Sequence, residues 1–332
     1  MSKEKKKGRG LFIFLCILAF IVTFGVSVVV KLTAKPAWMK EYTVEWSDAI
    51  GSVHKDLSYH TAELDFGDEK SHKYDLYVPA DKTKESYGLV VYLHAGGFTT
   101  GDKSEDKDML QWLCSKGYVA AGINYTLRDD NHPKASVYSQ TMEIKASISK
   151  IKEKASELGY DLNRMAISGG SAGGTLAMIY AYRDAEYSNS IGMPVKMLFE
   201  AVGPSSFYAK DWDTYGLDKS NKVAADLFSV MSGETITEDD IKNNNYQDKV
   251  KNISGWAWVN ESSVPTVMAY GTHDKICPFK SVKHLVDALK ANNVDYKYYE
   301  LPHSGHALQN DNNILKKYYD SIKEYLNKYM PV

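Results

Sequence analysis

One short glycine-rich segment restricts the possible folds of this chain more than any other. The segment is Gly169-Gly170-Ser171-Ala172-Gly173-Gly174, between the strand-like residues 164–168 and the helix-like residues 175–182. A strand, a tight turn and a helix are the setting in which a serine is held in strained backbone at the apex of the turn. Glycine and alanine on both sides of Ser171 remove the clashes that larger residues would create. We therefore predict that Ser171 is a nucleophile at the carboxyl end of a strand; a glycine turn that only packs a helix on a sheet is the alternative.

The rest of the chain alternates between strand and helix patterns. Near-continuous apolar runs at 88–93 and 118–124 are typical of strands that are covered on both faces. Further strands are predicted at 73–78, 195–202, 265–270 and 295–301, and helices at 104–116, 137–158, 281–291 and 313–329. This order predicts an α/β fold with a mostly parallel, twisted sheet flanked by helices. Because no helix separates the first two strands, we expect them to pair antiparallel at one edge.

Residues 203–264 interrupt the alternation. This stretch is polar, rich in aromatic residues and without a strand pattern. We predict a small cap inserted over the site, and a plain irregular connection is the alternative.

The N-terminal residues differ in composition from the rest of the chain. Residues 1–10 are basic, and residues 11–30 carry no charged side chain. Twenty helical residues span about 30 Å, enough to cross a bilayer. We predict a cytoplasmic tail (1–10), one transmembrane helix (11–30), a linker (31–52) and a folded α/β domain (53–332) outside the cell. One alternative is a cleaved signal peptide, which would give a secreted protein, but the uncharged run is longer than the apolar core of a usual signal peptide. The other alternative is a lipoprotein signal at Cys16, but this cysteine lies early in the run.

Composition narrows the classes of partner and cofactor. The chain has 40 Lys and Arg against 42 Asp and Glu, so no nucleic-acid surface is implied. With three cysteines there is no disulfide framework. Cys114 and Cys277 are expected to be buried free thiols, with a single bridge between them as the alternative. No His, Cys and Asp cluster has the spacing of metal ligands, so no metal or other cofactor is expected. The oligomeric state is left open.

A nucleophilic serine needs a base, and the base needs an acid that fixes its tautomer. When serine lies on such a turn, the acid and then histidine follow later in the chain. Asp274 comes just after the predicted strand 265–270, and His306 just after 295–301. Both lie where parallel strands end, which is where open α/β sheets place their sites. His303 is a competing candidate, but His306 follows Gly305 and can project from a loop.

The segment His94-Ala95-Gly96-Gly97-Phe98 follows the predicted strand 88–93. Attack on a carbonyl creates an oxyanion, which preorganised N–H groups stabilise. Glycine allows the backbone to approach that oxygen closely. We predict that the N–H groups of Gly96, Gly97 and Ala172 form the oxyanion hole.

Taken together, these motifs resemble those of α/β-hydrolases of the esterase and lipase type, in the hormone-sensitive-lipase-like and feruloyl-esterase-like branches. The resemblance extends from about residue 57 to the C-terminus. Ala95 stands where the family has the first glycine of its His-Gly-Gly-Gly segment, and Gly170 stands where it has aspartate. The resemblance implies an α/β-hydrolase fold, with Ser171 as nucleophile, Asp274 as acid and His306 as base.

The function implied is that of a serine carboxylesterase acting on a small ester, such as an acylated carbohydrate or a small lipid. Two alternatives are a serine peptidase of the prolyl-oligopeptidase type and a surface binding protein on a hydrolase fold without catalysis. The first usually has a long β-rich segment before the hydrolase, for which residues 31–52 are too few. The second would have a broken triad, whereas the sequence offers all three residues.

Overall fold

The computed structural model describes residues 36–332 apart from 63 and 65. Contacts divide the chain between Glu41 and Tyr42. In the first unit, only residues 36–41 are described, and a 3-10 helix, Ala37–Tyr42, begins there. The predicted tail (1–10) and transmembrane segment (11–30) lie outside the described residues. Within the described part of the chain, no helix is both long enough and apolar enough to cross a membrane.

The second unit, Tyr42–Val332, contains one eight-stranded sheet. Its strand order is β1-β2-β4-β3-β5-β6-β7-β8. The strands are β1 (Gly51–Ser58), β2 (Lys73–Pro79), β3 (Tyr87–Leu93), β4 (Val119–Ile123), β5 (Leu162–Gly170), β6 (Val195–Ala201), β7 (Thr266–Gly271) and β8 (Tyr296–Leu301). Strands β3 to β8 run parallel to one another, so the carboxyl ends of β3, β5, β7 and β8 meet at one edge. β1 already begins at Gly51, inside the stretch predicted as a linker.

β2 pairs antiparallel with β1 but does not pair with β3, so the antiparallel pairing predicted for the strands 73–78 and 88–93 is wrong. β4 lies between them, antiparallel to β2 and parallel to β3. The helix before β4 carries the chain back across the sheet, so β4 fills the position beside β3. The pairing of β4 with β2 joins segments that are far apart in sequence, and local patterns do not specify such a pairing.

Helices cover the predicted positions to within a few residues, and further helices lie where none is predicted. They are α1 (Lys107–Ser115), α2 (Val137–Glu157), α3 (Ala172–Arg183), α4 (Ala185–Ser190), α5 (Asn221–Ser232), α6 (Glu238–Lys242), α7 (Tyr246–Val250), α8 (Val282–Ala291) and α9 (Asn312–Tyr329). The predicted helix at 104–116 begins one turn later, after a 3-10 turn at Lys103–Asp106. Helices α4, α5, α6 and α7 have no counterpart among the predictions.

Both faces of the sheet are covered, as the apolar runs predict. Ala121 and Ile123 of β4 join the same buried cluster as Ile148 of α2. Gly122 points the other way, because a Cβ placed on it would lie 2.9 Å from Leu110 of α1. Alternate residues of one strand thus contact helices on opposite faces.

Residues 203–264 contain no strand in the structure. They form α5, α6 and α7 together with four 3-10 turns (Ala209–Asp211, Asp213–Tyr215, Lys251–Ile253 and Gly255–Trp258). Phe207, Phe228 and Ile253 are fully buried and belong to the same hydrophobic cluster as the sheet and α3. The segment therefore packs into the same core as the sheet and α3, and its role as a cap over the site stays a prediction.

Candidate active site

Ser171 lies between the end of β5 and the start of α3. Its backbone has φ 53° and ψ −121°, a region that non-glycine residues rarely adopt. The glycines explain how the chain makes this turn. A Cβ on Gly173 would lie 2.0 Å from the Leu93 carbonyl oxygen, and one on Gly169 would lie 2.4 Å from the Gly173 carbonyl carbon. Helix α3 can approach β5 and β3 closely only because both positions lack a side chain, and the approach presents Ser171 at the edge of the sheet.

His306 follows β8 and reaches Ser171 across the edge. Its Nε2 lies 3.0 Å from Ser171 Oγ, and its Nδ1 lies 2.7 Å from Asp274 Oδ2. A carboxylate can only accept hydrogen bonds, so Nδ1–H donates to it. In the neutral ring, Nε2 then carries no proton and can accept the hydrogen bond of the serine hydroxyl. The ring is thus in the tautomer that a general base requires.

Asp274 follows β7 and is held by the backbone of its own turn. Its Oδ1 accepts the N–H of Ile276 at 2.8 Å and the N–H of Cys277 at 2.9 Å. Ser171 and Asp274 are 7% and 6% exposed, whereas the side chain of His306 is 22% exposed. Solvent therefore reaches this group of residues mainly through the imidazole.

The competing histidine lies elsewhere. His303 is exposed, and its Nδ1 lies 2.8 Å from Asp311. His303 therefore interacts with Asp311, and His306 is the histidine in contact with Ser171.

The loop after β3 has the conformation expected of an anion-binding turn. Gly96 has φ 126° and Gly97 has φ 60°. A Cβ on Gly97 would meet no atom of residues 36–332, apart from the undescribed 63 and 65, within 4 Å, so this residue borders open space in the described structure. Among the residues that the structure describes, the N–H groups of Gly96, Gly97 and Ala172 have no acceptor. These three groups are therefore available to a ligand.

The base of this loop is fixed by His94, which is fully buried. Its ring stacks on Tyr125 with centroids 4.2 Å apart, and the Tyr125 hydroxyl donates to the His94 carbonyl at 2.8 Å. Burial lowers the pKa of the His94 imidazole, which favours its neutral form. His94 is therefore a support of the loop, and Tyr125 is a partner that the sequence patterns did not indicate.

Cys277 is a further site residue that sequence reasoning missed. Its Sγ lies 3.7 Å from Ser171 Oγ. Both Cys277 and Cys114 are buried and free, as predicted. Burial raises the pKa of the Cys277 thiol well above its usual range, so the thiol keeps its proton. Its position three residues after Asp274 was the one available signal, and it does not specify where the side chain points.

Asp274, Cys277 and His306 also form a set of possible metal ligands, since one atom from each lies within 4.8 Å of the others. The sequence spacing did not suggest this cluster. A metal would need the thiolate of Cys277, and burial opposes that ionisation. In addition, Asp274 Oδ2 and His306 Nδ1 already bond to each other. These contacts fit the hydrogen-bonded arrangement better than a metal centre.

Comparisons with known proteins fit this geometry. Residues 74–289, more than half of the chain, match the family model of BD-FAE. The chain is similar to esterase LipC of Mycobacterium tuberculosis (strain ATCC 25618 / H37Rv), with 20% identity over 278 residues. That alignment covers 80% of this chain and 66% of LipC, so the chain spans just under two thirds of that relative.

Solved structures agree on the fold. A truncated carbohydrate esterase from gut microbiota aligns with a TM-score of 0.65 and 17% identity, over 84% of this chain and 98% of that one. Esterase B from Lactobacillus rhamnosis, in an inhibited form, aligns with a TM-score of 0.63 and 17% identity, over 94% and 95% of the two chains. At this identity the likeness establishes the α/β-hydrolase fold alone. The match over residues 74–289 establishes the family: the chain belongs to the BD-FAE family.

Proposed function

We propose that the chain is a serine carboxylesterase, with Ser171 as nucleophile, His306 as base and Asp274 as acid. One observation carries the proposal. A single imidazole lies within hydrogen-bond distance of both the Ser171 hydroxyl (3.0 Å) and the Asp274 carboxylate (2.7 Å). The family and the similarity to a named esterase support the same reaction class.

In the proposed reaction, Ser171 Oγ attacks the ester carbonyl carbon while its proton passes to His306 Nε2. The N–H groups of Gly96, Gly97 and Ala172 bind the oxyanion that forms. His306 then gives the proton to the alcohol oxygen as the ester bond breaks, which leaves an acyl group on Ser171. Water, deprotonated by His306, releases the acyl group as a carboxylic acid and restores the serine.

We propose that the substrate is a small ester. An acylated carbohydrate is one candidate class, because one of the similar solved structures is a carbohydrate esterase. A small lipid ester is the other class. Hydrolysis rates for p-nitrophenyl esters of increasing acyl length, measured beside acetylated sugars, separate the two. Peptide substrates in the same series test for a peptidase, and cleavage of peptides in preference to all esters would contradict the proposal.

The serine mechanism is tested with a fluorophosphonate probe, which labels an activated serine covalently. We expect labelling of the wild-type chain and none of Ser171→Ala. A Ser304→Ala variant, which changes another buried serine near the same edge, serves as the control and should still be labelled. Equal labelling of Ser171→Ala and wild type, or no labelling of either, would refute the catalytic role and favour a binding protein.

We further propose that residues 11–30 anchor the protein in the cell membrane, with the N-terminus in the cytoplasm and the catalytic domain outside. The uncharged run behind a basic tail supports this. Sequencing the N-terminus of the mature protein is the test. Retention of residues 1–30, with the protein in the membrane fraction, is expected. A mature N-terminus near residue 35 would instead indicate a secreted protein.

A further inference from the structure

The oxyanion loop, residues 94–101, contains an unusual residue next to its proposed donors. Phe98 has φ 69°, in the left-handed region that favours glycine. Its side chain is buried in the core. The two preceding residues, Gly96 and Gly97, also have positive φ, but they lack the Cβ that makes this region unfavourable. A conformation of this kind persists only when its surroundings hold it.

The restraint comes from helix α2. The side-chain amide of Gln140 donates one hydrogen bond to the Phe98 carbonyl at 2.9 Å and another to the Thr126 carbonyl at 2.8 Å. Both amide protons are therefore used, one on the loop after β3 and one on the loop after β4. The Arg128 N–H donates to the same Phe98 carbonyl at 3.3 Å.

Gln140 is 0% exposed, and its Oε1 has no hydrogen-bond partner within the part of the chain that the structure describes. A buried amide with an unpaired oxygen is unfavourable for folding compared with an apolar side chain of the same size. The position is therefore better explained by what the two donated bonds achieve than by core stability.

We propose that Gln140 is a positioning residue of the active site, which holds the Phe98 carbonyl so that the Gly96 and Gly97 N–H groups face the oxyanion. This inference rests on the proposed esterase function. The two glycine N–H groups have no acceptor among the described residues, so the conformation of the loop alone directs them. Donors that are already oriented stabilise the transition state most, and small displacements reduce this effect strongly.

The first test is Gln140→Met, which keeps approximately the same volume and removes both donated bonds. We expect kcat for a p-nitrophenyl ester to fall about 10- to 100-fold, while KM changes by less than about threefold. Affinity for a trifluoromethyl ketone, which forms an oxyanion on Ser171, should fall by a factor similar to that of kcat. Ser147→Ala on the same helix is the control. Ser147 is also fully buried, but it bonds only the Ile144 carbonyl of its own helix, so both quantities should stay near wild type.

The second test is the pH dependence of kcat in Gln140→Glu, which a residue with a merely structural role would not change. This variant tests the positioning role even if Gln140→Met does not fold. An ionised carboxylate cannot donate to either carbonyl, whereas a protonated one can donate one bond. The ratio of the variant's kcat to the wild-type kcat should therefore rise as the pH is lowered. A flat ratio would overturn the inference.

The outcomes separate this inference from the function on which it rests. If the wild type is labelled at Ser171 but Gln140→Met keeps its kcat and its affinity for the ketone, Gln140 has no positioning role and the esterase proposal stands. If the wild type is neither labelled nor active, both proposals fail.

Discussion

The catalytic edge of the sheet and the segment 203–264 are built on different physical principles. At the edge, Ser171, Asp274 and His306 are positioned by a strained turn, by absent side chains and by short hydrogen bonds. In the segment, large rings are positioned by packing: Phe228 stacks on Tyr246 with centroids 5.8 Å apart, and all of its surface is buried. Substitutions of the three side chains at the edge should therefore reduce the rate more than the stability, and substitutions in the segment should do the reverse.

The largest expected effect lies at the edge. Asp274→Asn retains a side-chain oxygen that can accept the turn's N–H groups, but the amide no longer holds the imidazole in its basic tautomer. We expect kcat to fall about 10⁴-fold, with little change in the thermal midpoint. Asp287→Asn, at an exposed carboxylate paired with Lys283, is the control and should change neither. A loss of stability that accounts for the loss of activity would remove the distinction between the two regions.

The corresponding test in the segment is Phe228→Ala. Removing a fully buried ring is expected to cost about 3–5 kcal/mol in the free energy of unfolding, measured by urea denaturation. Val230→Ala, two residues further on and exposed, should cost much less. The kcat of the folded fraction should match wild type for both variants. A kcat that falls with Phe228→Ala under conditions where the protein is folded would mean that the segment acts as a cap on the site.

A third test concerns the glycines of the turn. Gly173→Ala would place a methyl group 2.0 Å from the Leu93 carbonyl oxygen, so backbone must move. We expect a loss of about 3 kcal/mol or more in stability, together with loss of fluorophosphonate labelling. At Gly170 the nearest atom to a Cβ is Tyr92 Oη at 3.9 Å, so Gly170→Ala should fold and be labelled normally. Equal behaviour of the two variants would show that close backbone packing does not determine the turn.

The difference between local features and contacts between distant segments explains which parts of the structure the sequence could predict. The order of Ser171, Asp274 and His306, each directly after a strand, was readable because parallel strands bring their carboxyl ends to one edge. The pattern around Gly169 and Gly173 was equally local. These features depend on a few neighbouring residues and on one topological rule.

Other features depend on contacts between distant segments. The placement of β4 between β2 and β3 and the inclusion of Phe228 in the main core follow from packing that no local pattern encodes. The aromatic composition of 203–264 indicated burial but not against which surface. The contacts made by Cys277 and Gln140 depend on side-chain directions, which are set only when the surrounding elements are in place.

Glu200 lies where the two regions meet. It is a fully buried residue of β6, one strand away from Ser171 and three residues before the start of the segment 203–264. Its Oε2 accepts the Gly203 N–H at 3.2 Å, and no described residue bonds its Oε1. A Cβ on Gly174, in the first turn of α3, would lie 3.1 Å from the same Oε2. Burial raises the pKa of this carboxyl to about 8.

The smallest expected effect is the pH dependence that this carboxyl creates. In the unfolded chain its pKa is near 4.5, so between that pH and about 8 only the folded state holds the proton. Unfolding then releases a proton, and stability falls as the pH rises. Glu200→Gln removes this pH dependence, so the free energy of unfolding of the variant relative to wild type should increase by about 2 kcal/mol between pH 6 and pH 7.5. Urea denaturation at the two pH values measures it, with Glu186→Gln, an exposed carboxyl, as control. Constant labelling of Ser171 while stability changes would show that Glu200, although packed against the first turn of α3, affects folding alone. A change in labelling as well would show that the edge and the segment are coupled through Glu200.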